Sequence, residues 1–220
     1  MHLVFNHMSP YQEMPCASLM IESVRKHMPD TVIVQLSDKT MDPERGVDKM
    51  VKAEFDYNIH LFPPIWLRMI IGVCQSEGTI VHCDADMIFS GDVNPLLEGD
   101  YDIAICKRPS GNGTTDETSR QYRILHPYNI GFMIIKNPDF LGCCCDIMDL
   151  EVYHKPTWAL AQHIIGLVVN SGQFKVKFLD GAIYNRTPID VDDFVESVKV
   201  WHFKGDRKDW MVDWTKRHYV

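Results

Sequence analysis

Short apolar runs and amphipathic stretches alternate along the chain, and their order predicts the architecture. Residues 2–6, HLVFN, are an apolar run that reads as a first strand. From Met14 to His27 the residues Met14, Ala17, Ile21 and Val24, with Met28 just beyond, recur at helical spacing until Pro29 and Asp30 stop it. Residues 31–38, TVIVQLSD, are β-branched and predict a second strand with a polar tip. Strand, helix and strand in this order predict a parallel sheet with helices packed on it. Residues 39–57 are polar and without period, and are expected to form a connection or a short helix. PPIWLRMIIGVCQSEG predicts a helix opened by two prolines, running to about Ser76 and ended by Gly78.

The second half repeats the alternation. TIVHCDADMIFSGD, residues 79–92, begins as a buried strand. DYDIAICKRP and YNIGFMIIKN predict further strands, separated by a polar loop over 107–123 that is long enough to suggest a functional role. Helices are expected from about Phe140 to Tyr153 and from Thr157 to a stop at Gly172. FKVKFLDGAIYN supplies a strand and a turn, and the tail has a β-branched start, a glycine-containing loop and an aromatic end. With no repeat and no linker, the 220 residues read as one α/β domain with a mostly parallel central sheet and helices on both faces.

Composition narrows the picture by exclusion. At 45% hydrophobic and 24% charged the chain is ordinary globular material. A net charge of -8 gives no footprint for nucleic acid, although Lys107, Arg108, Arg120 and Arg123 in the polar loop would be the place for a basic patch. No secretory signal is visible and no window approaches the roughly 18 apolar residues of a spanning helix, so a soluble, cytoplasmic protein is expected. Seven cysteines cannot all pair within the chain, and CCC at 143–145 has neither disulfide-framework nor zinc spacing. They read as small, reduced core residues on a helix.

The candidate chemistry starts at Asp84 and Asp86. They end an apolar strand, where open parallel sheets bind ligands, and residues i and i+2 of an extended segment point the same way. Two close carboxylates raise each other's pKa, and a hard divalent cation relieves that cost. Mg²⁺ and Mn²⁺ take oxygen ligands, often one or two carboxylates together with substrate phosphates. A D-x-D also occurs in solvated turns, but apolar residues flank this one on both sides. Near the other end, VWHFKGDRKDW places His202, Lys204, Gly205 and Lys208 around one turn. An imidazole can complete a Mn²⁺ site, a glycine lets the backbone approach a phosphate, and a lysine supplies a point charge for a diphosphate.

These motifs, in this order, resemble the metal-dependent glycosyltransferases of the GT-A fold, closest to the retaining glycogenin-like and galactosyltransferase-like family eight. WLRMIIGVCQSEGTIVHCDAD matches that family's arginine-bearing helix and D-x-D strand, YNIGFMII its N-x-G strand, and HFKGDRKDW its closing H-x-x-G-x-x-K-P-W, with Asp209 in place of the proline. The resemblance implies a GT-A (Rossmann-like) domain whose residues 1–106 hold a nucleotide sugar and whose residues 107–220 bind the acceptor and close the site. It implies that Asp84, Asp86 and His202 bind Mn²⁺ or Mg²⁺, which holds the diphosphate of a nucleotide sugar, most often a UDP-sugar. Gly205 and Lys208 would contact the diphosphate. Arg68, Ala85 and Asn129 would line the donor site, and the loop from Asn6 to Tyr11 would sit near the base.

One departure from the family bears on the sugar. Its Asp-Gln pair before an apolar helix stretch is here Ala161-Gln162, in WALAQHII. Gln162 and Asp180, in FLDGAIYN, are the candidates for the sugar pocket and its catalysis, whereas DVDD at 190–193 reads as a solvated turn. The expected acceptor is a glycan, protein or small molecule rather than nucleic acid. Three alternatives stay open: a sugar-nucleotide-binding protein without transfer activity, a nucleic-acid-directed glycosyltransferase, and a haloacid dehalogenase-type phosphatase. That last group wants a Thr two residues after the second Asp, where this chain has Ile88.

Overall fold

The computed structural model describes residues 1–8, 15–54, 62–108, 126–151 and 160–219. Expectations placed on Tyr11, Arg120, Arg123 and most of the 107–123 loop lie outside these residues. The central sheet has seven strands: β1 (His2–Asn6), β2 (Val32–Asp38), β3 (Lys49–Ala53), β4 (Ile80–Cys83), β6 (Ile103–Lys107), β7 (Tyr128–Ile135) and β8 (Val176–Leu179). Their spatial order is β3-β2-β1-β4-β7-β6-β8. β7 runs antiparallel to its neighbours β4 and β6, and the other pairings are parallel.

The strands read as continuous apolar runs because both faces of the sheet are covered. In β1, Leu3 and Phe5 enter one apolar cluster while Val4 enters the other. β7 divides in the same way, with Phe132 and Ile134 on one side and Met133 and Ile135 on the other. Helix α1 (Cys16–His27) packs Ala17, Met20, Ile21 and Val24 on the first face. Helices α2 (Phe62–Glu77), α3 (Pro138–Glu151) and α4 (Leu160–Asn170) cover the second with residues such as Leu67, Ile70, Leu141 and Ile165. His82, central in β4, is fully buried against Trp66, and burial lowers its pKa to about 4. Gly78 ends α2 at φ 78°, a left-handed conformation that glycine adopts without steric cost.

Two elements differ from the pattern-based expectation. Residues 39–57, expected as a connection or short helix, contain β3, an edge strand parallel to β2. Its half-exposed face dilutes the apolar signal to Met50 and Val51 between lysines. Met87, Ile88 and Phe89 after the D-x-D form their own strand, β5 (Met87–Phe89), which pairs antiparallel with β9 (Val200–His202) in a separate two-stranded sheet. A third apolar cluster, with Ile88, Trp201, Phe203, Met211 and Trp214, fastens this small sheet to helix α5 (Met211–His218).

The seven cysteines are free thiols, and the 143–145 run lies on α3 with Cys144 and Cys145 buried, as expected of core residues. DVDD at 190–193 is not merely a solvated turn. The Asp193 side chain is buried, pairs with Arg186 at 3.1 Å and accepts from Ile189 N, so it anchors the loop before β9. Among the described residues no helix is long and apolar enough to cross a membrane.

Candidate metal centre

The site forms where β4 ends. Asp84 leaves the strand with its N–H bonded to the carbonyl of Gly131 on β7 at 2.8 Å, and Ala85 and Asp86 turn the chain into β5. The two aspartates therefore flank a turn rather than lying along an extended segment. β5 then recruits the far end of the chain: Met87 is in register with His202, and Phe203 N donates to Asp86 O at 2.9 Å. His202 Nε2 comes to lie 3.1 Å from Asp86 Oδ1 and 3.4 Å from Asp84 Oδ2. One ligand atom from each of Asp84, Asp86 and His202 lies within 4.8 Å of the others.

Space for this convergence comes from Gly131. A Cβ there would stand 2.5 Å from both Asp84 Oδ2 and His202 Cε1, so no side chain fits while the three groups hold their places. The pairing of β6 with β7 shifts register between Ile105 and Cys106, opposite this stretch of β7. Irregular pairing next to a site commonly re-aims side chains there. Two carboxylate oxygens and an imidazole nitrogen around an open glycine suit a hard-to-borderline divalent cation such as Mn²⁺ or Mg²⁺.

The electrostatics separate the two carboxylates. Desolvation pushes Asp84 above the ordinary aspartate value; His202 opposes this, and the like charge of Asp86 adds to it. Asp86 is also desolvated, but His202 and Lys208 outweigh that and hold it below the ordinary value. Lys208 Nζ is 3.1 Å from Asp86 Oδ2. Lys204 is desolvated too, and together with the nearby Arg108 charge this lowers its pKa to about 8 despite Asp84 and Asp86. Its neighbour Gly205 has φ 61° and opens the 3₁₀ turn Gly205–Trp210.

The other predicted residues are distributed as follows. Asn129 is buried beside the centre; its Oδ1 accepts from Gly131 N at 2.9 Å and from Asn185 Nδ2 at 3.0 Å. Ala85 lies in the turn itself, against the α1-side cluster. Asn6 ends β1, and its buried Oδ1 meets no hydrogen-bond partner among the described residues. Arg68 is half-exposed on α2 and pairs with Asp149 of α3, with nitrogen to oxygen distances of 2.5 and 2.7 Å. Gln162 is 5% exposed, and its Oε1 accepts from Arg108 Nη2 at 2.8 Å. Ala161 is 4% exposed and packs in the α2-side cluster. Asp180 is exposed and caps the short helix Gly181–Tyr184 by accepting from Ala182 N.

Asn185, which follows that helix, escaped the sequence reading. Its Oδ1 is 2.9 Å from His202 Nδ1. FLDGAIYN contains it, but no spacing signal marks an asparagine whose partners lie 56 and 17 residues away.

No family model matches the chain, and no curated protein matches it by sequence. Solved structures do match. The glycosyltransferase GlyE of Streptococcus pneumoniae TIGR4 superposes with a TM-score of 0.63 at 16% identity over 100% of this chain, which spans 60% of GlyE. The galactosyltransferase LgtC, solved with donor and acceptor sugar analogues, gives 0.65 at 14% identity, covering 100% of this chain and 97% of its own. An active-site glutamine-to-glutamate mutant of LgtC gives the same score of 0.65. The chain thus has the GT-A fold of these glycosyltransferases, as its motif order implied.

Proposed function

We propose that this protein is a metal-dependent glycosyltransferase that moves a sugar from a nucleotide diphosphate donor, a UDP-sugar in the first instance, to an acceptor, with retention. The carrying observation is the convergence of Asp84, Asp86 and His202 at the end of β4. It occurs on a fold shared with a galactosyltransferase solved with donor and acceptor sugar analogues. Mn²⁺ or Mg²⁺ held there would supply Lewis-acid stabilisation of the charge that builds on the leaving diphosphate.

The chain's own residues then have distinct roles. Asp84 and Asp86 anchor the site from the sheet, and His202 closes it from β9. Lys208, paired with Asp86, sets a cation beside the diphosphate, and Gly205 allows close backbone approach. Asn6 offers the nucleotide a buried side-chain oxygen at the end of β1 that has no partner among the described residues. Asn129 and Ala85 line the donor side, with Arg68 at its margin. Gln162, held by Arg108, faces the transferred sugar, and Asp180 positions the segment that carries Asn185. Residues 1–106 act as the nucleotide-sugar half and 107–220 as the acceptor and closing half of one domain. The acceptor is a glycan, protein or small molecule, and the protein works in the cytoplasm.

The test is a panel of nucleotide sugars incubated with Mn²⁺, with released nucleotide as the readout. One donor is expected to release nucleotide only with the cation, and Asp86→Ala to fall to the metal-free background. Unchanged metal-dependent turnover in Asp86→Ala would sink the proposal. Ala161 brings apolar packing where the family has an acid, so calorimetry on the same panel matters. Donor binding with no release on any acceptor would identify a sugar-nucleotide-binding protein instead.

A further inference from the structure

We infer that Asn185 is a positioning residue that keeps a proton on His202 Nδ1, so that Nε2 is the ring nitrogen turned over to a cation. The inference rests on the metal-site reading above but concerns a residue outside the ligand set.

The polarity of the network can be read from its fixed end. A backbone N–H can only donate, and that of Gly131 meets Asn129 Oδ1 at 2.9 Å. The Asn129 atom in that position must be the amide oxygen, which settles an orientation that side-chain shape alone leaves open. The same oxygen lies 3.0 Å from Asn185, so Asn185 must present its NH₂ there. Its own oxygen then points the other way, 2.9 Å from His202 Nδ1. An amide oxygen only accepts, so Nδ1 must carry a proton. All three side chains are buried, which removes water as a substitute partner.

The consequence falls on the opposite ring nitrogen. His202 Nε2 is 3.1 Å from Asp86 Oδ1 and 3.4 Å from Asp84 Oδ2. With Nδ1 committed to Asn185, Nε2 is the nitrogen that faces the two carboxylates and would face a cation held between them. Hydrogen bonds from a ligand's second nitrogen fix both tautomer and ring plane, and their loss typically weakens metal binding 10–100-fold. Gly131 serves the network twice, giving its N–H as the reference donor and leaving the space in which the ring sits.

Two measurements decide it. In metal-free wild-type protein with ¹⁵N-labelled histidine, the His202 Nδ1 proton should be present and protected from solvent exchange. A neutral ring protonated on Nε2 alone would overturn the inference, and no variant is needed to see it. In Asn185→Ala, Mn²⁺ affinity by calorimetry should fall about 10-fold or more, while circular dichroism shows the fold retained. Wild-type affinity in a folded variant would also overturn it. If donor turnover is absent but Mn²⁺ affinity depends on Asn185, the transferase proposal fails and this inference stands. If turnover is present and affinity ignores Asn185, the reverse holds.

Discussion

Gly131 sets the tolerance of the site at the scale of one residue. A methyl group there would enter the space of the Asp84 carboxylate and the His202 ring, both at 2.5 Å. Overpacking of this kind typically costs about 1–3 kcal/mol. Here the groups that must move are the proposed ligands, so Gly131→Ala is expected to weaken Mn²⁺ binding roughly tenfold. Titration calorimetry against the metal, beside an unchanged far-ultraviolet spectrum, checks it; wild-type affinity would mean that the ligands relax freely. Asp84, Asp86 and His202 were legible as chemistry because their side chains announce it. Asn185 was not, because an amide acquires its role from its partners. Ala161 was legible as a departure, but only packing shows that its position belongs to the apolar cluster rather than to an open wall.

At the scale of elements, the two strands that the pattern missed are short or at an edge, where periodicity carries least information. β3 is held at its start by Asp48. Its Oδ2 accepts from Ile33 N at 2.7 Å and from Arg25 Nη2 at 2.6 Å, while Asp48 N donates to Ile33 O at 3.0 Å. Desolvation opposes ionisation of Asp48, but these hydrogen bonds and the Arg25 charge outweigh it and lower its pKa below the ordinary 3.8. A carboxyl lowered by folding contributes stability that is present above the ordinary value and lost as pH falls through the folded one. Asp48→Asn should therefore be less stable than wild type at neutral pH, and the gap should close below about pH 4. Urea midpoints from pH 7 to pH 3 test this; a gap independent of pH would show that charge plays no part. β5 and β9 matter for another reason: their pairing converts a separation of more than a hundred residues into adjacent register.

For the whole molecule, the centre ties the main sheet to the small sheet that carries His202, so metal binding should register as global stability. A cation at 100 times its dissociation constant adds about 2.7 kcal/mol to a protein that binds it only when folded. The melting temperature is expected to rise with Mn²⁺, return with EDTA, and stay flat in Asp86→Ala; a rise of equal size in the variant would place the ion elsewhere. The sandwiched α/β sheet was legible in the apolar pattern along the chain, because strands covered on both faces must be apolar throughout and the helices between them must show one apolar stripe. The candidate donors were legible there too, because only carboxylates, imidazoles and a few other groups can hold a hard cation. How those donors meet depends on the fold. The turn at Ala85, the β5–β9 register, the missing Cβ of Gly131 and the Asn129–Asn185–His202 hydrogen bonds are contacts between distant segments. Local periodicity reports which side of an element is buried, and it is silent on which distant residue lies against it.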